Sequence, residues 1–327
     1  MAMGFGCNAV GVVGCRIIDS PRERLIAILT NALVPCNGRF PTLITLITLA
    51  VMWAGRSGGA ARGSVTGGSL AGNSAASGSL MGNSAAGGSL AGGPALVGSG
   101  GLPGTGELLS SLAAAAALTV LILLGILATL LSSKLLSKTV LKGLPSSFTL
   151  ELPPYRRPQL WKVILRSIPD RTLFVLGRAV SVAAPAGLLI WILGNISPGG
   201  RSLLACLSAL LNPLGRLLGM DGMILTGFLL GFPANEIVLP IILMGYLQTG
   251  TLTELSSPSV LMELFAAHGW TLKTIVCTAL FCLFHWPCST TCLTIKKETG
   301  SLRWTLAAFL LPTLIGGGLC FLINLLF

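Results

Sequence analysis

The stretch FHWPCSTTCLTIKKETGS (284–301) decides the fold class, because it places a proline and several polar residues inside a long apolar run. Pro287 has no amide proton, so the carbonyl of Leu283 loses its helical partner, and Trp286 is disfavoured in helical geometry. The residues after Pro287 are typical of a new helix start. Broken helices with polar residues at the break are how transporters build ion sites at mid-depth. We therefore predict a membrane helix that is interrupted near its middle.

A second interruption is predicted in GFPANEIVLP (231–240). Pro233 frees the carbonyl of Leu229, and Pro240 frees that of Glu236. Asn235 and Glu236 lie between the two prolines. A carboxylate at bilayer depth costs roughly 3 kcal/mol, so it normally faces a cavity, a partner or a substrate. A kinked helix, with a neutral Glu236 bonded to the freed backbone, is the alternative interpretation.

The composition places these interruptions in a membrane protein. Of the 327 residues, 53% are hydrophobic and 9% are charged, whereas soluble chains carry about 25% charged residues. A helix is predicted at 21–33, with Ser20 as N-cap, Pro21 at the first position and Glu23 at the third. The fold class is therefore an all-α, polytopic bundle with broken or re-entrant helices. Its predicted apolar runs and spans are 40–53, 111–131, 172–196, 202–219, 222–249, 271–295 and 304–327.

The basic residues predict which side of the membrane each loop occupies. The net charge is +11, but the basic residues cluster beside apolar runs, as in cytoplasmic loops. No basic stripe interleaved with aromatic residues is present, so nucleic-acid binding is excluded. A cytoplasmic loop at 134–171 places 220–221 inside, 250–270 outside and 296–303 inside. Localisation in the cytoplasmic membrane is expected.

Residues 55–106 are of low complexity, with the decapeptide GGSLAGNSAA (67–76) repeated twice more in modified form. Gly, Ser and Ala at this density bury too little surface to offset the entropy of ordering, which predicts a flexible linker. The unit is shorter than the usual solenoid repeat, which argues against a solenoid.

The stretch 284–301 also carries candidate metal ligands. His285 and Cys288 lie at the break and, with Cys292, would share one face if the helix continued. Thiolate and imidazole suit iron and zinc better than magnesium or calcium. For Cys277, Cys282 and Cys292 we favour a packing role, because buried free cysteine usually acts as a small hydrophobe. Most of the nine cysteines lie in apolar segments, which excludes a secreted disulfide framework.

A third candidate is Cys7. The order of residues in GFGCNAVGVVGCRIIDSPRERLIAIL (4–29) is similar to that in the Cys288 segment: a cysteine, a small or apolar run, a basic residue and a further apolar run. This likeness suggests two related halves, with Cys7 and Cys288 in corresponding places. The sequence contains no P-loop, zincin or kinase signature. We expect no catalytic residues, no enzyme activity and no permanently bound cofactor.

Several segments resemble, in order, the transmembrane portion of FeoB-type ferrous iron transporters. The resemblance extends over nearly the whole chain except 55–106. The segments are MGFGCN (3–8), RIIDSPRERLIAIL (16–29), PCNGRFP (35–41), FTLELPPYRRP (148–158), GLLIWILGNI (187–196), LLGMDGMILTGFLLGFPANEIVL (217–239) and FHWPCSTTCLTIKKETGSLRWT (284–305).

The resemblance implies a domain organisation with two Gate repeats. It comprises a first repeat at 1–54, the linker at 55–106, a membrane helix with a basic cytoplasmic segment at 107–171, and a second repeat with C-terminal helices at 172–327. The family's GTP-binding domain and first helices would precede Met1, so the first repeat is expected to be truncated. The decapeptide repeat is foreign to the family's pattern.

The resemblance also implies a function, namely transport of ferrous iron as the permease part of a FeoB-like system. The family's pore-lining cysteines match Cys7 and Cys288, and its broken helix matches the segment around Glu236. With Asn235 and His285 these form the candidate metal ligands. Expected partners are membrane lipid, Fe²⁺ as substrate, a separate GTPase subunit and further copies of the chain. The alternatives are a Gate-type carrier of another divalent metal or a nucleoside, and a truncated subunit that does not transport.

Overall fold

A computed structural model of the chain describes residues 2–60, 105–139, 161, 174–197, 200–252, 255 and 257–326. Helix makes up 84% of the structure, and the described residues include no strand. Most of the predicted linker at 55–106 and residues 140–160 and 162–171 of the predicted cytoplasmic segment lie outside the described residues. The α-helices are α1 (Ala2–Gly6), α2 (Asn8–Gly14), α3 (Pro21–Thr30), α4 (Phe40–Ala60), α5 (Thr105–Thr139), α6 (Phe174–Asn195), α7 (Leu203–Leu217), α8 (Gly222–Leu230), α9 (Val238–Leu247), α10 (Pro258–Ala267), α11 (Leu272–Phe284), α12 (Ser289–Thr299) and α13 (Leu302–Leu326).

Four stretches are long and apolar enough to cross a bilayer: Pro21–Arg56, Leu108–Thr139, Leu272–Thr299 and Leu302–Leu326. The prediction of an all-α, polytopic membrane protein is confirmed. The start of α3 is as predicted, because the Ser20 hydroxyl accepts a hydrogen bond from the Glu23 amide at 3.4 Å. The main apolar core is built from α4, α8, α9, α10 and α11.

Two of the four stretches are broken. In the first, α3 and α4 are separated by residues 31–39, which form two short 3₁₀ turns; we call residues 31–39 the first break. In the other, α11 and α12 are separated by residues 285–288, which we call the second break. At 1.5 Å per residue, α11 is about 20 Å long and α12 about 17 Å, so the second break lies near mid-depth.

The predicted span at 222–249 is wrong, because α8 and α9 form a hairpin that returns to the end where it began. A Cβ atom on Gly227 would lie 2.6 Å from Cγ1 of Ile242, and one on Gly245 would collide with Met223. These pairs match antiparallel helices in close contact, which small residues permit. The chain reverses at residues 231–237, the hairpin tip, where Pro233 lies. Pro240 lies in the first turn of α9, where the missing amide proton interrupts nothing.

The predicted span at 202–219 is also wrong. Helix α7 is bent by 109° from α8, so the two cannot both run along the membrane normal. At the start of α7, the Leu203 amide donates to the Ile196 carbonyl at 3.0 Å. After α7 ends, Asp221 forms the N-cap of α8. Leu210 and Leu214 are exposed on α7. An apolar sequence alone did not predict this bend, which leaves α7 and α8 as at most one broken or re-entrant span.

The bundle has two chemically distinct ends. At one end, which we call the basic end, Arg16 forms an ion pair with Glu298 at 2.6 Å, and Arg22 donates to the Ser137 hydroxyl at 3.1 Å. These contacts join Arg16, which follows α2, to the end of α12, and the start of α3 to the end of α5. They are consistent with the prediction that 134–171 and 296–303 share one side.

At the far end, the Tyr246 hydroxyl donates to Asp221 and the Trp270 indole donates to Tyr246 at 2.8 Å. Lys273, at the start of α11, lies there too and bonds to Asn324 at 3.1 Å. The prediction that 220–221 lies on the basic side is therefore wrong. Residues 220–221 and 270–273 share the far end, whereas the prediction placed 220–221 and 250–270 on opposite sides.

Candidate functional site at three interrupted segments

The two breaks and the hairpin tip meet inside the bundle. The Ser289 amide at the start of α12 donates to the Phe232 carbonyl in the tip at 2.9 Å. The Ser289 hydroxyl lies 3.4 Å from the Pro233 carbonyl. In the first break, Gly38 packs against the tip so closely that an added Cβ would lie 4.0 Å from the Glu236 amide. Three interrupted segments therefore share one site near mid-depth, which we call the crossing.

The second break has the form that Pro287 predicts. Helix α11 ends at Phe284, and His285 is extended with φ −70° and ψ 174°. Cys288 is extended as well and is the N-cap of α12. Since the helix does not continue, the face that His285, Cys288 and Cys292 would share in an unbroken helix does not form.

His285 and Asn235, both predicted ligands, are brought together at the crossing. His285 is buried, and its Nε2 lies 3.3 Å from Oδ1 of Asn235. Its Nδ1 lies 2.8 Å from the Cys282 carbonyl. When Nδ1 carries the proton and donates to that carbonyl, Nε2 has only a lone pair and cannot donate to Oδ1 of Asn235. Two acceptors then face each other, which is an arrangement that a bound cation would satisfy.

Cys36, in the first break, is a neighbour that the sequence reasoning did not select. It is buried, and Nδ2 of Asn235 lies 3.9 Å from its sulfur. In the sequence, its segment PCNGRFP (35–41) shows only the family resemblance. The signal that would have identified Cys36 is its place after Pro35 between two apolar helices, which is the same context that singled out Cys288.

Cys7 and Cys288 occupy equivalent local positions. Each is the extended N-cap residue of a helix, Cys7 before α2 and Cys288 before α12, and neither side chain makes a capping hydrogen bond. The two helices pack against each other. Cys7 and Cys36 are both near enough to interact electrostatically with the Cys288 thiol, which also lies 3.2 Å from the Thr291 hydroxyl.

Glu236 lies apart from these side chains, although it follows Asn235 directly. It is exposed and lines a separate cavity of about 220 Å³ between the starts of α4 and α9. Thr42 and Thr45 also line this cavity. The cavity also reaches Leu243 of α9 and Leu255, so it extends from the crossing toward the far end.

The five predicted ligands do not form one coordination sphere. Among the residues that the structure describes, no group of three or more His, Cys, Asp or Glu side chains is arranged to hold a metal ion. Cys277 and Cys282 lie in the apolar core, in agreement with a packing role. Cys292 is half-buried, with its sulfur 3.6 Å from the Pro287 carbonyl.

Arg39 is the main residue of the crossing that sequence reasoning missed. Its side chain is fully buried, with 0% exposure. Nη1 donates to the carbonyls of Ala32 at 3.2 Å and Leu283 at 2.7 Å. Nη2 donates to those of His285 at 2.9 Å and Trp286 at 3.1 Å. Each hydrogen bond from a charged donor contributes roughly 1.5–3 kcal/mol, so Arg39 holds the two breaks together.

Two of the carbonyls that proline frees from helical hydrogen bonding already have partners. Arg39 occupies the Leu283 carbonyl. The Leu229 carbonyl accepts the Phe232 amide at 3.3 Å. The side chains of the crossing, rather than these two carbonyls, are therefore the groups that remain to bind a ligand.

Two family models match the chain. The model described as Ferrous iron transport protein B C terminus matches residues 118–169, and the Gate model, described as Nucleoside recognition, matches residues 176–302. No solved structure matches the chain.

Curated relatives named Fe(2+) transporter FeoB match almost the whole chain. The protein from Methanocaldococcus jannaschii is 25% identical over 322 residues, which cover 94% of this chain and 38% of that protein. The protein from Staphylococcus aureus strain MSSA476 is 24% identical, covering 95% and 38%, and that from Leptospira interrogans strain Fiocruz L1-130 is 22% identical, covering 97% and 41%. The chain thus spans about two fifths of the length of these relatives. The chain is therefore similar to the C-terminal part of proteins named Fe(2+) transporter FeoB, with the FeoB C-terminal match at 118–169 followed by the Gate match at 176–302.

Proposed function

We propose that this chain forms the path by which Fe²⁺ crosses the bacterial cytoplasmic membrane, as the permease part of a FeoB-like system. The observation that carries the proposal is the crossing, where three interrupted segments bring thiol, imidazole and amide groups together near mid-depth. A cation that leaves water needs replacement ligands, and interrupted helices are where membrane proteins supply them. The similarity to proteins named Fe(2+) transporter supports iron as the substrate.

The positions of the polar groups suggest an order of contacts along the path. Glu236, in its cavity toward the far end, is the first ligand for an incoming ion. The cluster of Cys36, Asn235 and His285 follows at the crossing. Cys7 and Cys288 then receive the ion at the starts of α2 and α12, which lead to the basic end. No single point has a full ligand set, which favours passage over tight retention, because conduction requires sites that an ion can leave.

We propose that a GTPase on a separate polypeptide drives or gates transport. The basic end is the side on which such a partner would act, because clustered Lys and Arg mark cytoplasmic loops. Membrane lipid covers the exposed apolar faces of α5 and α13. In this proposal the chain itself is not an enzyme and holds no permanent cofactor.

The test is uptake of radioactive ferrous iron by cells that depend on this protein. Cys7→Ser and Cys288→Ser should each reduce uptake by roughly tenfold, since oxygen is a weaker ligand than thiolate for this class of metal. Cys206→Ser, at an exposed position of α7, is the matched control and should leave uptake unchanged. Full uptake by the double variant Cys7→Ser, Cys288→Ser would exclude the proposed path.

Glu236→Gln tests the far-end contact separately. It should reduce uptake mainly at low iron concentration, because it removes the first charged ligand. Glu263→Gln, on α10 at the far end, is the control for loss of one exposed carboxylate.

Competition by excess Zn²⁺, Mn²⁺ or nucleosides identifies the substrate: inhibition by nucleosides but not by metals would contradict the iron proposal. Absence of uptake in the presence of the partner GTPase would indicate a subunit that does not transport.

A further inference from the structure

The Arg39 guanidinium lies among four backbone carbonyls of two different broken helices. Ala32 belongs to the first break, and Leu283, His285 and Trp286 belong to the second break and the end of α11. We call these four carbonyls the carbonyl cage. Unwound carbonyls that converge in this way coordinate monovalent cations such as Na⁺ in transporters with interrupted helices. The cage therefore has the chemistry of a monovalent cation site.

The charge inside the cage is bound by backbone oxygens: among the residues that the structure describes, the four hydrogen-bond acceptors of Arg39 are all carbonyls and none is a carboxylate. Arg39 is fully buried and stays charged, because an arginine is not deprotonated in proteins. Its fifth donor, Nε, has no hydrogen-bond partner within the described part of the chain. The carbonyl dipoles compensate the positive charge, as they would for a free cation.

We propose that Arg39 is a tethered cation that permanently fills a carbonyl site of the monovalent-cation type. The crossing therefore forms without bound Na⁺ or K⁺, and alkali ions are excluded from the position next to the thiol and imidazole ligands. Arg39 acts as a positioning and specificity-determining residue: it orders the two breaks and prevents a monovalent ion from occupying them. The effect on transport rests on the proposed function, whereas the occupancy of the cage does not.

The occupancy is tested by chemical rescue of the purified protein. Arg39→Ala should lower the thermal unfolding midpoint by roughly 10 °C, given several lost hydrogen bonds from a charged donor. Millimolar guanidinium chloride should restore at least half of this loss, because the free ion can enter the vacated cage. Choline chloride at the same ionic strength, and urea at the same concentration, should not.

The matched control is Arg303→Ala, which removes the same side chain from an exposed position at the basic end. Its midpoint should be close to that of the wild type and insensitive to millimolar guanidinium. Arg39→Lys provides a second variant if Arg39→Ala does not fold, because the ammonium group keeps the charge but cannot reach all four carbonyls. It should be intermediate in stability. If guanidinium stabilises Arg39→Ala no more than choline does, and Arg39→Lys is as stable as the wild type, the tethered-cation proposal is wrong.

Alkali-ion dependence gives an independent readout. The wild-type midpoint and iron uptake should be the same in NaCl, KCl and choline chloride, whereas Arg39→Lys and Arg39→Ala should become sensitive to which alkali ion is present. A wild-type protein that requires Na⁺ or K⁺ would overturn the proposal. If rescue succeeds but no variant transports iron, the carbonyl cage is retained and the proposed function fails.

Discussion

The segment around Cys7 and the segment around Cys288 begin in the same way and are anchored differently. In both, an extended cysteine precedes a helix, and the two helices pack side by side. Four residues further on, the first segment has Gly11 and the second has Cys292. Gly11 lies beneath the buried Asn31 of the first break, and an added Cβ there would be 2.6 Å from Oδ1 of Asn31.

This difference shows that the neighbours of each helix determine what it tolerates. Helix α2 is held by a side chain, because Nδ2 of Asn31 donates to the Asn8 carbonyl at 2.9 Å. Helix α12 is held by backbone, through the bond from Ser289 to Phe232. The first anchor needs a helix surface free of side chains, whereas the second leaves room for Cys292.

The largest effect is expected when the first segment is made like the second. Gly11→Cys should destabilise the protein by about 3 kcal/mol, because the new side chain displaces a buried amide and breaks its hydrogen bond. Thermal unfolding of the detergent-solubilised protein measures the effect. Gly6→Cys is the control, since nothing lies within 4 Å of an added Cβ there. The reciprocal change, Cys292→Gly, should cost only about 1 kcal/mol. Equal stability of Gly11→Cys and Gly6→Cys would contradict the difference between the anchors.

A smaller effect is expected in the reactivity of the two cysteines. Cys7 is exposed, whereas Cys288 is partly buried. Alkylation of Cys7 by a polar maleimide should therefore be roughly tenfold faster than that of Cys288, because access limits the rate. Peptide mapping by mass spectrometry measures both rates in one sample. Cys206, which is exposed, and Cys282, which is buried, mark the fast and slow limits. Faster alkylation of Cys288 than of Cys7 would contradict this difference in exposure.

The smallest effect is expected where the two segments meet at the basic end. The Arg16 side chain is 59% exposed and that of Glu298 11%, so solvent screens the pair. Glu298→Gln should lower stability by less than about 1 kcal/mol, and the difference from wild type should shrink at high salt. Unfolding in low and high salt tests this. A loss of several kcal/mol that persists at high salt would mean that this pair, rather than the crossing, holds the two segments together.

Local features of the sequence were predicted well because their causes are local. Ser20 and Pro21 start α3 as expected, and Pro287 ends one half-helix and precedes the next. Proline removes an amide proton whatever the rest of the fold does. The equivalence of Cys7 and Cys288 also came from the order of residues within two short segments.

The two wrong spans and the missed residues have non-local causes. Residues 202–219 and 222–249 are apolar enough to cross a membrane, but the 109° bend and the hairpin depend on helix contacts that apolar composition does not encode. From the sequence alone, Arg39 cannot be distinguished from other basic residues in loops. Three of its four acceptors lie 244 to 247 positions later in the chain. The position of Cys36 at the site can be recognised only from the fold, in which the hairpin tip places Asn235 beside it.

The sequence separation between Arg39 and its acceptors has a consequence for biosynthesis. At the usual rates of translation, about 5–20 residues per second, the carbonyls of residues 283–286 are made roughly 12 to 50 s after Arg39. The guanidinium enters the membrane insertion machinery long before three of its acceptors exist, while an unpaired charge is disfavoured in lipid. The first break must therefore remain in a hydrated environment until α11 has been inserted, which makes closure of the crossing a late step in the maturation of the protein.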